Sequence, residues 1–237
     1  KFSTAGGAGL MPIIRGAPVR FMFTTFSRPM FWVYARSDIR SVESLKGKKV
    51  GVSSLGSGPD SLLREILKKN GLDGGRDVAI MAVGSGTARF YALQAGTVEA
   101  AMLSVPANLM AQEAGFRELV SFFDQEWIEL QGTINVADQL LASDPALVEK
   151  FIRATLKGFI HFRHLKSQTV GILTRFLRTK EDAATKIYDL MRPSLTQDGI
   201  VSDEIQRKSL EHVVDRAGLK EPPRLEKIFD YSVAMKV

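Results

Sequence analysis

Two short stretches of small polar residues have the composition of an anion-binding site. They are residues 53–58, which read SSLGSG, and residues 84–87, which read GSGT. Each follows a strand-like run and precedes a helix-like run, so each is predicted to lie at a helix N-terminus. The first backbone N–H groups of a helix have no partner within it, and the helix dipole is positive there. These loops therefore suit an anion or another hydrogen-bond acceptor.

The candidate binding residues are the small residues of these loops and of a third strand end. They are Ser53, Ser54, Gly56, Ser57, Ser85, Gly86, Thr87 and Pro106. Helix capping by the same serine, threonine and glycine residues is the alternative interpretation. Ligands of α/β sheets collect at the carboxyl ends of strands, which favours binding.

Neither loop matches a nucleotide-binding motif. No Gly-Lys-Ser/Thr follows the first loop, and Arg89 stands where a dinucleotide fingerprint would have its third glycine. Arg89 could neutralise an anion, although an arginine at such a position usually lies on the solvated face of its helix. The pattern therefore predicts a site for a small solute rather than for a nucleotide.

Further candidates lie outside this central stretch. Thr4 and Ala5 follow a strand-like segment, and Gln131 begins another. Trp32 could contribute an aromatic wall for a ring-bearing solute, although aromatic residues in strands are more often part of the core. His161 and His164 have a spacing that permits a metal pair, but no third ligand is near in sequence, so we expect neither a metal nor a cofactor.

The order of the elements predicts an α/β fold. Strand-like runs alternate with helix-like runs between residues 50 and 122, which indicates a mainly parallel sheet covered on both faces. Helix-like segments dominate from Pro145 onward. Residues 36–40 and 124–130 are polar stretches suited to crossings between two lobes. We therefore predict lobe I as residues 1–38 and 125–237, and lobe II as residues 39–124.

Composition excludes several classes of protein. The formal net charge is +6, but 32 basic residues are mixed with 26 acidic ones along the chain. Because no basic arm or zinc finger is present, nucleic acid is not an expected partner. The chain has no cysteine, so it has no thiolate nucleophile and no disulfide. Its apolar runs are far shorter than the roughly 20 residues of a membrane span, and no membrane insertion is expected.

The chain resembles the solute-binding proteins of ABC importers, in the branch for nitrate, sulfonates, taurine and thiamine precursors. The resemblance is carried by residues 45–52 (LKGKKVGV), 56–59 (GSGP), 92–101 (ALQAGTVEAA) and the helix start at Asp144-Pro145. It implies a type II periplasmic-binding-protein fold of two lobes, each with a mainly parallel sheet, that closes on a solute in an interlobe cleft. The family's first lobe normally opens with a strand-helix-strand unit, so an N-terminally incomplete first lobe is expected.

The resemblance also implies a function. It predicts a non-enzymatic, periplasmic protein whose partners are a small-molecule solute and a membrane permease. The alternatives are an enzyme of the thiamine pyrimidine synthase-like branch and the effector-binding domain of a transcription regulator. The first of these, like porphobilinogen deaminase on the same fold, depends on cysteine, which this chain lacks.

Overall fold

The computed structural model describes residues 1–4, 9–123, 130–219 and 221–236. The chain divides into two compact units: unit 1 is Lys1–Pro29 with Ile128–Val237, and unit 2 is Met30–Trp127. The first boundary falls nearer the N-terminus than the predicted residue 38, because the strand at Trp32–Ala35 pairs within the sheet of unit 2.

Strands and helices alternate through the centre of the chain, and helices follow. The strands are β1 (Phe2–Ser3), β2 (Val19–Phe26), β3 (Trp32–Ala35), β4 (Lys49–Val52), β5 (Ala79–Ala82), β6 (Ala100–Leu103), β7 (Arg117–Ser121) and β8 (Gln131–Ala137). The helices are α1 (Leu10–Ile14), α2 (Gly58–Lys69), α3 (Gly86–Gln94), α4 (Ala107–Glu113), α5 (Asp138–Ser143), α6 (Pro145–His164), α7 (Lys166–Leu177), α8 (Glu181–Met191) and α9 (Asp203–Ala217).

Unit 2 contains a five-stranded sheet in the order β5-β4-β6-β3-β7. β4 pairs in parallel with β5 and β6, whereas β3 is antiparallel to both β6 and β7. Only β3 therefore runs against the other four strands. Apolar residues of α2, including Leu63 and Leu67, pack with Val50 and Val52 of β4 in one buried cluster, and α3 contacts β4 and β6.

Unit 1 departs from the predicted mainly parallel sheet. Its described strands form a three-stranded sheet in the order β1-β8-β2, and both pairings are antiparallel. Phe21 of β2 packs in a cluster with α1 and α9, and Phe23 packs in another with α6. A register shift between these two phenylalanines accompanies the change of cluster. Antiparallel pairing thus organises the described sheet of this unit.

Leu225–Lys227 forms a single 3₁₀ turn. None of the helices in the described part of the chain combines the length and the apolar character that crossing a bilayer requires.

Candidate functional site

Three loops of unit 2 lie at one edge of its sheet. They follow β4, β5 and β6, which are adjacent and parallel, so their carboxyl ends point to the same edge. The loops that the sequence predicted as binding elements, after Val52, Ala82 and Leu103, are therefore neighbours. Solute binding by these residues remains a prediction.

The loop after β5 crosses the end of β4 and reaches the end of β6. The Gly84 N–H donates to the Ser53 carbonyl oxygen at 3.0 Å. A Cβ atom placed on Gly86 would lie 3.3 Å from Ser104 Oγ and 3.8 Å from Arg89 Nη2. Gly86 thus packs closely against the end of β6, with the Ser104 hydroxyl group and the Arg89 guanidinium group both beside the start of α3.

The loop after β4 uses most of its polar groups internally. Ser53 Oγ donates to Ser57 Oγ at 2.8 Å, and Ser57 Oγ donates to the Ser54 carbonyl oxygen at 2.6 Å. The Gly56 N–H donates to Asp60 Oδ2 at 2.7 Å. Asp60 is only 3% exposed, and its carboxylate lies in the first turn of α2. Because that charge already complements the positive helix end, a second anion is disfavoured there.

The N-terminus of α3 has a different environment. Ser85 caps the helix, since its Oγ accepts from the Ala88 N–H at 3.2 Å. The first turn of α3 contains no acidic residue. Thr87 is exposed, as is Ser54 in the neighbouring loop, and neither hydroxyl forms a hydrogen bond with a described residue. These two hydroxyl groups are available to a solute, whereas that of Ser85 is engaged as an acceptor.

Arg89 is buried, and the expectation of a solvated position is wrong. Its side chain is 3% exposed, and Nη1 donates to the Gly84 carbonyl oxygen at 2.6 Å. Nε is buried and has no hydrogen-bond partner among the described residues, and no described carboxylate forms an ion pair with Arg89. Burial lowers the pKa of the guanidinium to about 10, so it stays protonated at neutral pH. The sequence could have indicated the burial of Arg89, because the apolar Leu93 lies four residues later and residues four apart share a helix face.

Ser104 and Pro106 follow β6 at the same edge. Ser104 is half-buried and lies beside Gly86; it belongs to the third strand end, residues 104–106, that the sequence indicated as part of the cleft wall. Pro106 is the N-cap residue of α4, and the peptide bond that precedes it is cis. Ser104 lies beside the start of α3 because the loop after β5 approaches the end of β6. No local sequence pattern near residue 104 indicates that approach.

Trp32 is placed in the core rather than on a binding surface. It lies in β3 and is 4% exposed. Its ring stacks on that of Phe123 with the centroids 6.3 Å apart. This burial leaves little surface for a solute and favours the core interpretation over an aromatic wall.

The remaining candidates lie in unit 1. Thr4 is exposed after β1, and Gln131 begins β8 with its Nε2 buried and unpartnered among the described residues. Ala5 falls outside the described residues. His161 lies in α6, and the described chain holds no group of three or more side chains that could bind a metal ion. Binding by Thr4, Ala5 and Gln131 remains a prediction.

Comparison with known structures identifies the fold. A protein from Bordetella bronchiseptica RB50 has a TM-score of 0.84 at 15% identity, covering 99% of this chain and 79% of that one. The alkanesulfonate-binding protein SsuA from Xanthomonas axonopodis pv. citri, solved with MOPS bound, has a TM-score of 0.72 at 19% identity, covering 94% of this chain and 77% of that one. The desulfurization enzyme DSZB has a TM-score of 0.72 at 15% identity, covering 99% of this chain and 84% of that one.

At these identities the structural likeness shows the fold alone, and it confirms the predicted two-lobed α/β class of periplasmic binding proteins. No curated protein sequence matches the chain. A family model described as NMT1/THI5 like matches residues 6–164, which is more than half of the chain. This match confirms the resemblance that the sequence indicated, and the chain belongs to the NMT1/THI5 like family.

Proposed function

We propose that this chain is the solute-binding component of an ABC importer, that it works in the periplasm, and that it presents its solute to a membrane permease. The solute is a small organic or inorganic anion or a heterocycle, of the sulfonate, nitrate, taurine or thiamine-precursor type. The observation that carries this proposal is the set of three donor-bearing loops at the carboxyl edge of β5, β4 and β6. Membership of the NMT1/THI5 like family and the fold shared with SsuA support it.

The polar groups at this edge suit binding better than nucleophilic catalysis. Ser53 and Ser57 hydrogen-bond to each other and to backbone rather than to a general base. A serine nucleophile requires a base within hydrogen-bond reach of its hydroxyl group. Exposed hydroxyl groups and backbone N–H groups instead provide neutral donors that can hold a solute without reacting with it.

An enzyme on the same fold is the second candidate. The observation in its favour is the likeness to the desulfurization enzyme DSZB. Native mass spectrometry of the purified protein separates the two: a binding protein retains an intact solute that is released unchanged on denaturation. Turnover of the retained compound would instead support the enzyme.

The binding residues can be tested by removing the two available hydroxyl groups. We expect Ser54→Ala combined with Thr87→Ala to weaken binding of the retained solute about tenfold or more, because two hydrogen bonds are lost. Isothermal titration calorimetry measures the affinity. The matched control is Ser41→Ala with Ser44→Ala, which removes an exposed hydroxyl pair that precedes β4 and so lies toward the opposite edge. Unchanged affinity in the Ser54/Thr87 variant would rule out this assignment.

A further inference from the structure

We propose that the solute carries an oxyanion group, and that this group binds at the N-terminus of α3 against the Arg89 guanidinium, the Ser104 hydroxyl and the backbone N–H groups of Gly86 and Thr87. The inference rests on the proposed solute-binding function. It narrows the solute to an anion and excludes a neutral heterocycle. It also assigns the anionic end of the solute to the loop after β5 rather than to the loop after β4.

The first argument is an uncompensated buried charge. Asp60 and Arg89 are the charged side chains that are fully buried among those the structure describes. Asp60 accepts from Arg64 Nε at 2.9 Å and from the Gly56 N–H, so its charge is balanced. Arg89 has one carbonyl partner and no described counter-ion. A buried charge is unfavourable unless it is paired, and an anionic solute supplies the missing partner.

The second argument is geometric. The point where a Cβ of Gly86 would stand is within 4 Å of both Ser104 Oγ and Arg89 Nη2. The same point lies at the first residue of α3, where backbone N–H groups have no partner within the helix. Three kinds of donor are therefore neighbours at the start of α3, and a planar guanidinium with adjacent N–H groups matches the oxygens of an oxyanion.

The third argument is the contrast with α2. Both helices start at the same edge of the sheet and have similar loops, but α2 has the carboxylate of Asp60 in its first turn. The first turn of α3 has no acidic residue, and the same helix contains the buried guanidinium of Arg89. Since like charges repel at close range, the α3 terminus is the one that accepts an anion.

The experiment compares a charged probe with a neutral one of the same shape. Ethanesulfonate and ethyl methyl sulfone are titrated into the wild-type protein, Arg89→Met and Arg76→Met by calorimetry. Arg76 lies before β5 and its side chain is 82% exposed, so its variant removes the same charge from the same unit without touching the site. We expect ethanesulfonate to bind the wild type and Arg76→Met alike, to bind Arg89→Met about 10- to 100-fold more weakly, and the sulfone to bind none of them measurably.

Two further variants separate binding from folding. Arg89→Lys keeps the charge but loses the fork of donors, so we expect intermediate affinity. Gly86→Ala places a methyl group against Ser104 without an unfavourable backbone angle, and we expect it to weaken ethanesulfonate binding. A role in solute binding leaves the melting temperature of unliganded Arg89→Met at or above the wild-type value, because an unpaired buried charge opposes folding. A purely structural role of Arg89 lowers it.

The outcomes also distinguish this inference from the proposed function. Equal ethanesulfonate affinity of the wild type and Arg89→Met, or no binding of ethanesulfonate and inorganic sulfate to the wild type, overturns the anion site. A neutral solute found by native mass spectrometry, with the same affinity for Arg89→Met, overturns the anion site and leaves the solute-binding function standing. Failure of the protein to retain or bind any solute overturns both.

Discussion

Asp60 and Arg89 give the N-termini of α2 and α3 different local charges. The Asp60 carboxylate accepts from the Gly56 N–H in the loop before α2 and from Arg64 Nε. The negative charge of Asp60 is therefore balanced by Arg64. The Arg89 guanidinium donates to one carbonyl oxygen, that of Gly84, and has no described counter-ion. The carboxylate before α2 therefore has its charge balanced by described neighbours, whereas the guanidinium at the start of α3 has no described counter-ion.

The lowered pKa of Arg89 indicates that its burial opposes folding at neutral pH. The folded-state pKa of about 10 lies below the ordinary value of an arginine side chain. Between these two pH values the unfolded chain holds more protons than the native chain, so this group's contribution to stability rises with pH there. Below about pH 10 the unfavourable effect is fully present, and a bound anion offsets it by pairing the charge.

Asp60 provides a test of the loop before α2. We expect Asp60→Ala to lower the free energy of unfolding by about 1.5–3 kcal/mol, because it leaves the Gly56 N–H and Arg64 Nε without their acceptor. Urea unfolding followed by circular dichroism measures the change. The control is Asp38→Ala, which breaks the exposed Arg36–Asp38 pair and should change stability by less than about 1 kcal/mol. Equal effects would contradict a structural role for the buried carboxylate.

At the scale of elements, the reversed strand β3 determines the shape of the unit 2 sheet. It inserts between β6 and β7, so the crossover through α4 connects two strands that run in the same direction but do not pair. β4, β5 and β6 remain a continuous parallel set. The proximity of the three loops depends on this set, because three adjacent carboxyl ends are needed to bring them to one edge of the sheet.

In unit 1, a turn at Gly199 closes over β2. Thr24 N–H donates to the Gly199 carbonyl oxygen at 2.8 Å. Gly199 has a φ of +80°, and a Cβ there would lie 2.0 Å from Phe23 Cε2. Only glycine fits, because both the backbone angle and the aromatic ring exclude a side chain.

The different surroundings of Gly199 and Gly158 predict opposite effects of replacing each with alanine. We expect Gly199→Ala to destabilise the protein by about 3 kcal/mol, through strain at positive φ and overpacking against Phe23. Gly158 lies in the middle of α6 with nothing within 4 Å of an added Cβ. Gly158→Ala should therefore stabilise it by about 0.5–1 kcal/mol. Thermal and urea unfolding measure both, and destabilisation by Gly158→Ala would contradict the open environment found there.

At the scale of the whole molecule, solute binding and stability are coupled. The chain carries a net charge of +6, but its bases and acids are interspersed, so the general field attracts anions only weakly. Selection of an anion must therefore come from a local site. A ligand that binds the native state and not the unfolded state raises the free energy of unfolding by mass action.

This coupling predicts a ligand-dependent melting temperature. Ethanesulfonate at 100 times its dissociation constant should stabilise the wild-type protein by about 2.7 kcal/mol. For a chain of this length that corresponds to an increase of about 5–10 °C. Differential scanning calorimetry measures the shift. The same concentration is only about 1 to 10 times the weaker dissociation constant expected for Arg89→Met, so it should stabilise that variant by only about 0.4–1.4 kcal/mol. An equal increase in both proteins would show that the stabilisation arises elsewhere.

Much of this organisation follows from local sequence. The glycine-serine loops before Pro59 and after Val83, and the proline and capping residues that start α2, α3 and α6, act within a few residues of one another. The sequence therefore predicted the alternation of strands and helices and the helix N-termini close to their observed positions. It also predicted the family through motifs spread along the chain, which the NMT1/THI5 like match confirms.

The tertiary structure decided what depends on contacts between distant residues. The burial of Trp32 against Phe123 and the antiparallel pairing of unit 1 depend on which strands become neighbours, and no local period encodes that choice. The approach of Gly86 to Ser104 joins two different strand ends. The burial of Arg89 follows from that approach, because the loop that covers the guanidinium is held by β4 and reaches β6. By itself the sequence predicted hydrogen-bond donors at two helix N-termini. Only the packing at the sheet edge placed a buried guanidinium with no described counter-ion beside one of them.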